Sequence, residues 1–180
     1  MSLSELETAI ANYVGDVLVN ECGAETPERV LRYHGTLPHD CCTESGFLVV
    51  NWERGYSSLD FPNPASNSKI PCPGRPTYQI VVRYVVCWPV PETTDNGVVI
   101  LDSSWDSRAS ILADHADCVA RALMRLSCDP DRQDPFVEAI ISQTGSMVRY
   151  IETTPLVPQG GCAGVQWKLY ASPRSGRSAS

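Results

Sequence analysis

The sequence is short of the parts that most enzyme chemistries need. Only three histidines occur in 180 residues. There is no GxGxxG and no GxxxxGK followed by Ser or Thr, so neither glycine-rich phosphate cradle is present. Gly160-Gly161 precedes Cys162 and a strand-like segment, not a helix whose N-terminus holds an anion, and reads as a turn. No CxxC pair exists. No apolar run approaches the length that spans a bilayer, so no membrane contact is expected. The first twenty residues have no early basic cluster and their apolar residues are spaced, which predicts no signal peptide and a soluble product made in a cytosol. Positive charge is also scarce. Fourteen Lys and Arg face twenty-one Asp and Glu, for a net charge of -7 and a pI near 4.9. That argues against a dedicated DNA-coating surface, which is normally basic. It allows a wall past which DNA slides, because negative charge repels phosphate.

What is present is a globular chain, 43% hydrophobic and 19% charged. One α+β domain is expected over residues 1–172, with a frayed polar tail at 173–180. Ser2 and Glu5 have capping-box spacing. Leu3, Leu6, Ile10, Tyr13, Val14, Val17 and Leu18 follow at helical steps, and Gly23 is a plausible stop. Thr26-Pro27-Glu28 suggests a short second helix through Tyr33. From Gly46 the period changes to two, through Leu48, Val50 and Trp52, with a bend expected at Gly55. The segment from Tyr78 to Val86 is the strongest strand signal and reads as central in its sheet, since both of its faces are apolar. Val98 to Leu101 is a short strand or a packed loop. Ile111, Leu112, His115, Val119, Ala122, Leu123 and Leu126 trace a long amphipathic helix, and Asp134 to Gln143 a shorter one. Met147 to Ile151 and Val165 to Tyr170 are late strands, separated by a Pro/Gly-rich loop. The sum is a mostly antiparallel or mixed sheet with two main helices packed on one side. Trp52 and Trp167 are assigned to its core.

The eight cysteines are Cys22, Cys41, Cys42, Cys72, Cys87, Cys118, Cys128 and Cys162. With no secretory context they are expected to be mostly reduced at synthesis, with later oxidation if the mature protein works outside cells. Cys87 and Cys118 read as small core side chains. His34, His39, Asp40, Cys41 and Cys42 form the one cluster with metal-ligand chemistry. Adjacent cysteines point apart and no second pair follows, so a packed or oxidised role is favoured over zinc. His115 reads as a core or interface histidine. The carboxylate pairs Asp102/Asp106 and Asp114/Asp117 suit helix starts and solvated faces. No cofactor, metal or catalytic residue is assigned.

Two loops, Pro62 to Pro76 and Pro91 to Ser104, are long and rich in proline or polar residues, which suits docking to partners. Candidate contacts are Phe61, Pro62, Asn63, Lys69, Arg75, Glu92, Asp95, Asn96 and Asp102, together with Gln159 and Gly160 at the late turn.

Several motifs taken together carry a resemblance. They are Asp40-Cys41-Cys42 ahead of a Gly46-led strand, Phe61-Pro62 at its end, and the exit Val82-Arg83-Tyr84-Val85-Val86-Cys87-Trp88-Pro89-Val90. The helix from Ala116 to Cys128 and Pro158-Gln159-Gly160-Gly161-Cys162-Ala163-Gly164-x-x-Trp167 complete them. Over about Asp40 to Tyr170 the chain resembles tail terminators of siphophages that infect actinobacteria. Thr43-Glu44-Ser45 and the long Phe61 to Pro76 loop depart from that pattern. The resemblance implies a structural virion protein made in the host cytoplasm and placed at the top of the tail. It implies a homo-hexameric ring that caps the tail tube protein, stops its polymerisation and offers a surface to the neck or stopper protein of the head. DNA would pass through the lumen without specific binding. The alternatives are a head-side stopper and, from another class, a small metal-binding or enzymatic domain around His34, His39 and Cys41.

Overall fold

The structure is a computed structural model. It describes residues 2–32, 46–58, 61–64, 75–87, 92–93, 96, 99–100, 104–128, 147–159 and 161–172. The described elements are α1 (Leu3–Asn20), β1 (Arg29–Arg32), β2 (Phe47–Ser58), β3 (Arg75–Cys87), β4 (Glu92–Thr93), β5 (Val99–Ile100), α2 (Ser104–Cys128), β6 (Met147–Gln159) and β7 (Cys162–Ser172). Five strands form one open mixed sheet in the order β1-β2-β3-β7-β6, and β4 pairs with β5 separately. Only β1 runs parallel to its neighbour; the other pairs in the large sheet are antiparallel. This is the α+β class expected, with β3 central.

α1 begins as its sequence dictates. The Ser2 hydroxyl accepts from the Glu5 N–H at 3.2 Å, and the Glu5 carboxylate accepts from the Ser2 N–H at 2.6 Å, which closes the capping box. Its stripe of Leu6, Ile10, Val14 and Leu18 is fully buried. The stripe meets one face of the sheet, built from Leu48, Val50, Ile80, Val82, Val165, Trp167 and Leu169, together with Val119, Leu123 and Leu126 of α2. Trp167 is fully buried, sits between Val82 and Thr153 in register, and donates its indole N–H to the Ala116 carbonyl at 3.1 Å. That bond satisfies its one polar atom, the condition for burying a tryptophan. Tyr13 of α1 donates to the Ala122 carbonyl of α2 at 3.2 Å, and Arg125 pairs with Glu21.

Several sequence expectations need correction. The segment after Pro27 is strand β1, not a helix: Val30 and Leu31 sit beside Leu48 and Val49 in a parallel ladder, and four residues gain more from that edge than from one helical turn. The late loop is shorter than its prolines suggested. β6 runs through Pro155 to Gln159, and only Gly160-Gly161 separates it from β7. Gly161 takes φ of +79°, as a two-residue hairpin turn requires. Proline is tolerated because β6 is an edge strand of the sheet. Trp52 is 41% exposed and Ile111 is 53% exposed, so neither belongs to the core. Cys118 is not a reduced packing residue. It is disulfide-bonded to Cys22 across 96 residues, joining the end of α1 to the middle of α2. On the chain-entropy account a closed loop of this size is worth about 4–5 kcal/mol. The expected helix from Asp134 to Gln143 lies outside the described residues.

The two tryptophans give a contrast that urea unfolding can measure. Trp167→Ala removes a fully buried ring and is expected to cost about 3–5 kcal/mol. Trp52→Ala removes an exposed ring whose described aromatic contact is an edge-on one with Tyr78, and is expected to cost about 1 kcal/mol or less. Equal losses would contradict this placement of the core.

Candidate interaction surface

The described helices cover one face of the sheet. The other face divides in two. At one end Phe47, Val49, Val85 and Cys162 form a small buried apolar cluster with Leu31 and Leu156 against it. Gly164 belongs to this end. A Cβ there would stand 2.3 Å from the Tyr84 carbonyl oxygen and 3.1 Å from a Leu156 methyl, so only glycine lets β7 pass this close to β3.

The centre of the face is polar. A bulge between Trp52 and Arg54 leaves Glu53 without a partner in the ladder. Bulges re-aim side chains, and here the result is that two consecutive residues both reach Gln79. Arg54 Nε donates to Gln79 Oε1 at 2.7 Å, and Gln79 Nε2 donates to Glu53 Oε2 at 2.9 Å. Arg83 lies at the hub. Its Nε donates to Gln166 Oε1 at 3.1 Å, its Nη1 to Asn51 Oδ1 at 2.6 Å, and its Nη2 stands 3.5 Å from Glu53 Oε1. The Arg83 side chain is 17% exposed. Desolvation lowers its pKa and Glu53 opposes the shift, but a guanidinium keeps its proton throughout. The network extends to β6 through Gln166 to Thr154, and Lys168 and Glu152 form a separate ion pair between β7 and β6. At its other margin Arg54 meets the Tyr170 hydroxyl, and Tyr56 packs edge-on against the Tyr170 ring. These partners fix the rotamers of long polar side chains.

The candidate contacts fall at opposite ends of the sheet. Phe61, Pro62 and Asn63 follow β2, and two side chains of that strand hold them. The Tyr56 hydroxyl donates to the Pro62 carbonyl at 2.5 Å and the Ser58 hydroxyl to the Asn63 carbonyl at 2.6 Å. Desolvation and then Tyr170 raise the Tyr56 pKa, so it stays a donor. Beside them opens a groove lined by Trp52, Gly55, Tyr56, Ser57, Pro76 and Tyr78. Arg75 begins β3 opposite Ser58, at this same end. Gln159 is at the far end, opposite Cys162, where β3 also finishes at Cys87. Thirteen residues of β3 separate the two ends by about 40 Å. Glu92 opens the small β4–β5 pair and Asn96 is an exposed turn residue. Lys69, Asp95, Asp102 and Gly160 lie outside the described residues, as do His34, His39, Asp40, Cys41 and Cys42. Among the described residues no group of three His, Cys, Asp or Glu side chains is placed to hold a metal.

His115 is half-buried on α2, with its ring 6.2 Å from the Tyr84 ring. Desolvation lowers its pKa below the ordinary 6.5, against the pull of Asp114. Sequence reasoning placed this residue well. It missed Arg83, Asn51, Gln79 and Gln166. Each is a polar residue set singly among apolar ones: Asn51 in β2, Gln79 and Arg83 in β3 and Gln166 in β7.

No family model matches the chain and no curated protein matches it. Several solved structures match, and one of them aligns with 99% of this chain and 99% of its own length, at 13% identity and a TM-score of 0.40. A likeness that distant carries no argument about function.

Two tests follow. Arg83→Met takes a partner from each of Asn51, Glu53 and Gln166 and is expected to cost about 2–4 kcal/mol in urea unfolding. Arg83→Lys keeps the charge but not the planar fork, and is expected to recover less than half of that. The second concerns pH. A histidine with a lowered folded pKa takes up its proton more readily when unfolded, so its contribution is complete above about pH 6.5 and is lost as pH falls through the folded value. The urea midpoint of the native chain should drop more between neutral pH and mildly acid pH than that of His115→Gln. Parallel pH profiles would remove His115 from this account.

Proposed function

We propose that this chain is a tail terminator: a virion protein that forms a hexameric ring on the finished tail tube, stops its growth and presents a joining surface to the head. The sequence motifs from Asp40 to Tyr170 support this reading, and the α+β fold agrees with what that resemblance implies. The observation that carries it furthest is the division of the candidate contact segments between two ends of one rigid sheet. The loop between β2 and β3 springs from the Ser58/Arg75 end, and the β6–β7 turn and the exit of β3 lie at the Cys87/Cys162 end. A joint between two different partners needs two separated contact regions held at fixed distance.

A ring of identical subunits closes through a heterologous interface related by rotation. Such a protein works by shape: one side matches the tube and the other does not propagate it. The net charge of -7 per chain suits a passage through which DNA moves without adhering.

The test is electron microscopy of particles made without this protein. Filled heads beside unjoined tails of uncontrolled length are the expected outcome. Tails of normal length beside heads that leak DNA would replace this reading with a head-side stopper, and normal joined virions would end both.

A further inference from the structure

β1 is the other edge of the large sheet, and it lacks the prolines and the bulges that mark β6. Among the described residues its one strand neighbour is β2. Arg29, Val30 and Arg32 are exposed, and Val30, at 50%, is a large apolar side chain left in water. We propose that this edge is a docking site for one extended, acidic segment of a partner protein, which adds to the sheet as a further strand beside β1.

The outer backbone groups of an edge strand are a template for pairing, and the side chains decide which strand is admitted. Register with β2 sets Arg29 and Leu31 beside Phe47 and Val49, on the face of the small apolar cluster. It sets Val30 and Arg32 beside Leu48 and Val50, on the face that the helices cover. The two arginines therefore flank the edge from opposite faces, as residues three apart in a strand must. Arg32 is steadied by α1, since its Nη1 donates to the Ser4 hydroxyl and to the Ser4 carbonyl. A guanidinium carries five donors, so others are left for a carboxylate. The strand that fits has two carboxylates three residues apart, one for each arginine, with two apolar residues between them to lie beside Val30 and Leu31. That pattern reads the same in either direction. A second copy of β1 does not fit. Whether parallel in register or antiparallel, it sets arginine opposite arginine, and like charges directly opposed are destabilising. Selection thus comes from repelling the wrong strand as well as attracting the right one. The chain's net charge of -7 opposes an acidic partner at long range, so the attraction is local and salt weakens it. This inference does not rest on the proposed function.

The experiment is an amide NMR titration of the isotope-labelled full chain at low salt. The probe is a hexapeptide blocked at both ends, with two central valines flanked by glutamates and threonines outermost. Two controls replace its glutamates by lysines, or its first valine by proline. The glutamate peptide is expected to shift the amides of Arg29 to Arg32 and of the adjoining part of β2, with a Kd of about 1–5 mM. The proline peptide should bind at least about tenfold more weakly, since it lacks a ladder donor. The lysine peptide should not bind. Arg29→Glu/Arg32→Glu should exchange the preference, so that the lysine peptide binds and the glutamate peptide does not. Both positions are exposed, and the amide spectrum reports whether the variant is folded; Arg29→Glu, which leaves the bonds from Arg32 to Ser4 in place, should by itself weaken the glutamate peptide about tenfold. No shift up to about 5 mM, an equal response to the glutamate and lysine peptides, or shifts confined to other strands would overturn the proposal. So would concentration-dependent shifts at Arg29 to Arg32 without peptide, which would make a second copy the occupant.

Discussion

β3 and β7 pair over ten consecutive residues with no bulge, from Tyr78 opposite Ala171 to Cys87 opposite Cys162. That single register fixes features with nothing else in common. It sets Trp167 beside Val82 on the helix side, where the indole reaches Ala116. It sets Arg83 beside Gln166 on the other side, and Gly164 beside Val85 where the backbones crowd. A slip of one residue would send Trp167 to the polar face and drive a side chain into the Tyr84 carbonyl. The buried tryptophan and the crowded glycine enforce the same alignment from opposite faces, so the sheet's centre is specified twice.

The two faces solve burial differently. α1 and α2 cover one with a continuous apolar layer, and the Cys22–Cys118 bridge ties those helices together. The other face buries only a small apolar cluster and gives its centre to Arg83, Glu53, Gln79, Asn51 and Gln166. A guanidinium drawn this far out of water is tolerated because three groups meet it, and any of them left alone would be costly. The bulge in β2 makes the set possible, since a regular strand would turn either Glu53 or Arg54 away. Electrostatics is thus subordinate to backbone geometry on this face.

Where the sequence carried a period, it could be read. α1, β3 and α2 have one, and their buried residues were legible almost one by one. β1 was not legible, because four residues have no period and their parallel partner begins fifteen residues beyond their end. β6 was misread because proline argues against a strand interior, and nothing local says that this strand lies at an edge. Trp52 and Ile111 were misplaced for a common reason: periodicity assigns a side to a residue, not the length of the layer that covers it. The Cys22–Cys118 link spans 96 residues and is invisible to any local pattern. The polar network was hidden by its bulge, which breaks the alternation that would have announced it.

The edge of the sheet bears on how copies of this chain could join. A thirteen-residue edge strand is a template for further strands, and pairing that repeats without rotation gives open fibres, not closed rings. β6 is guarded against this. Pro155 and Pro158 remove two donors from its backbone, and a bulge between Tyr150 and Glu152 throws Ile151 out of the ladder. Prolines and bulges are the devices by which natural sheets avoid edge-to-edge association. If the chain assembles with itself, the β6 edge is therefore the wrong place to look for the contact. The segments at the two ends of the sheet impose no such repeat, and an interface built from them is free to take whatever rotation closes a ring.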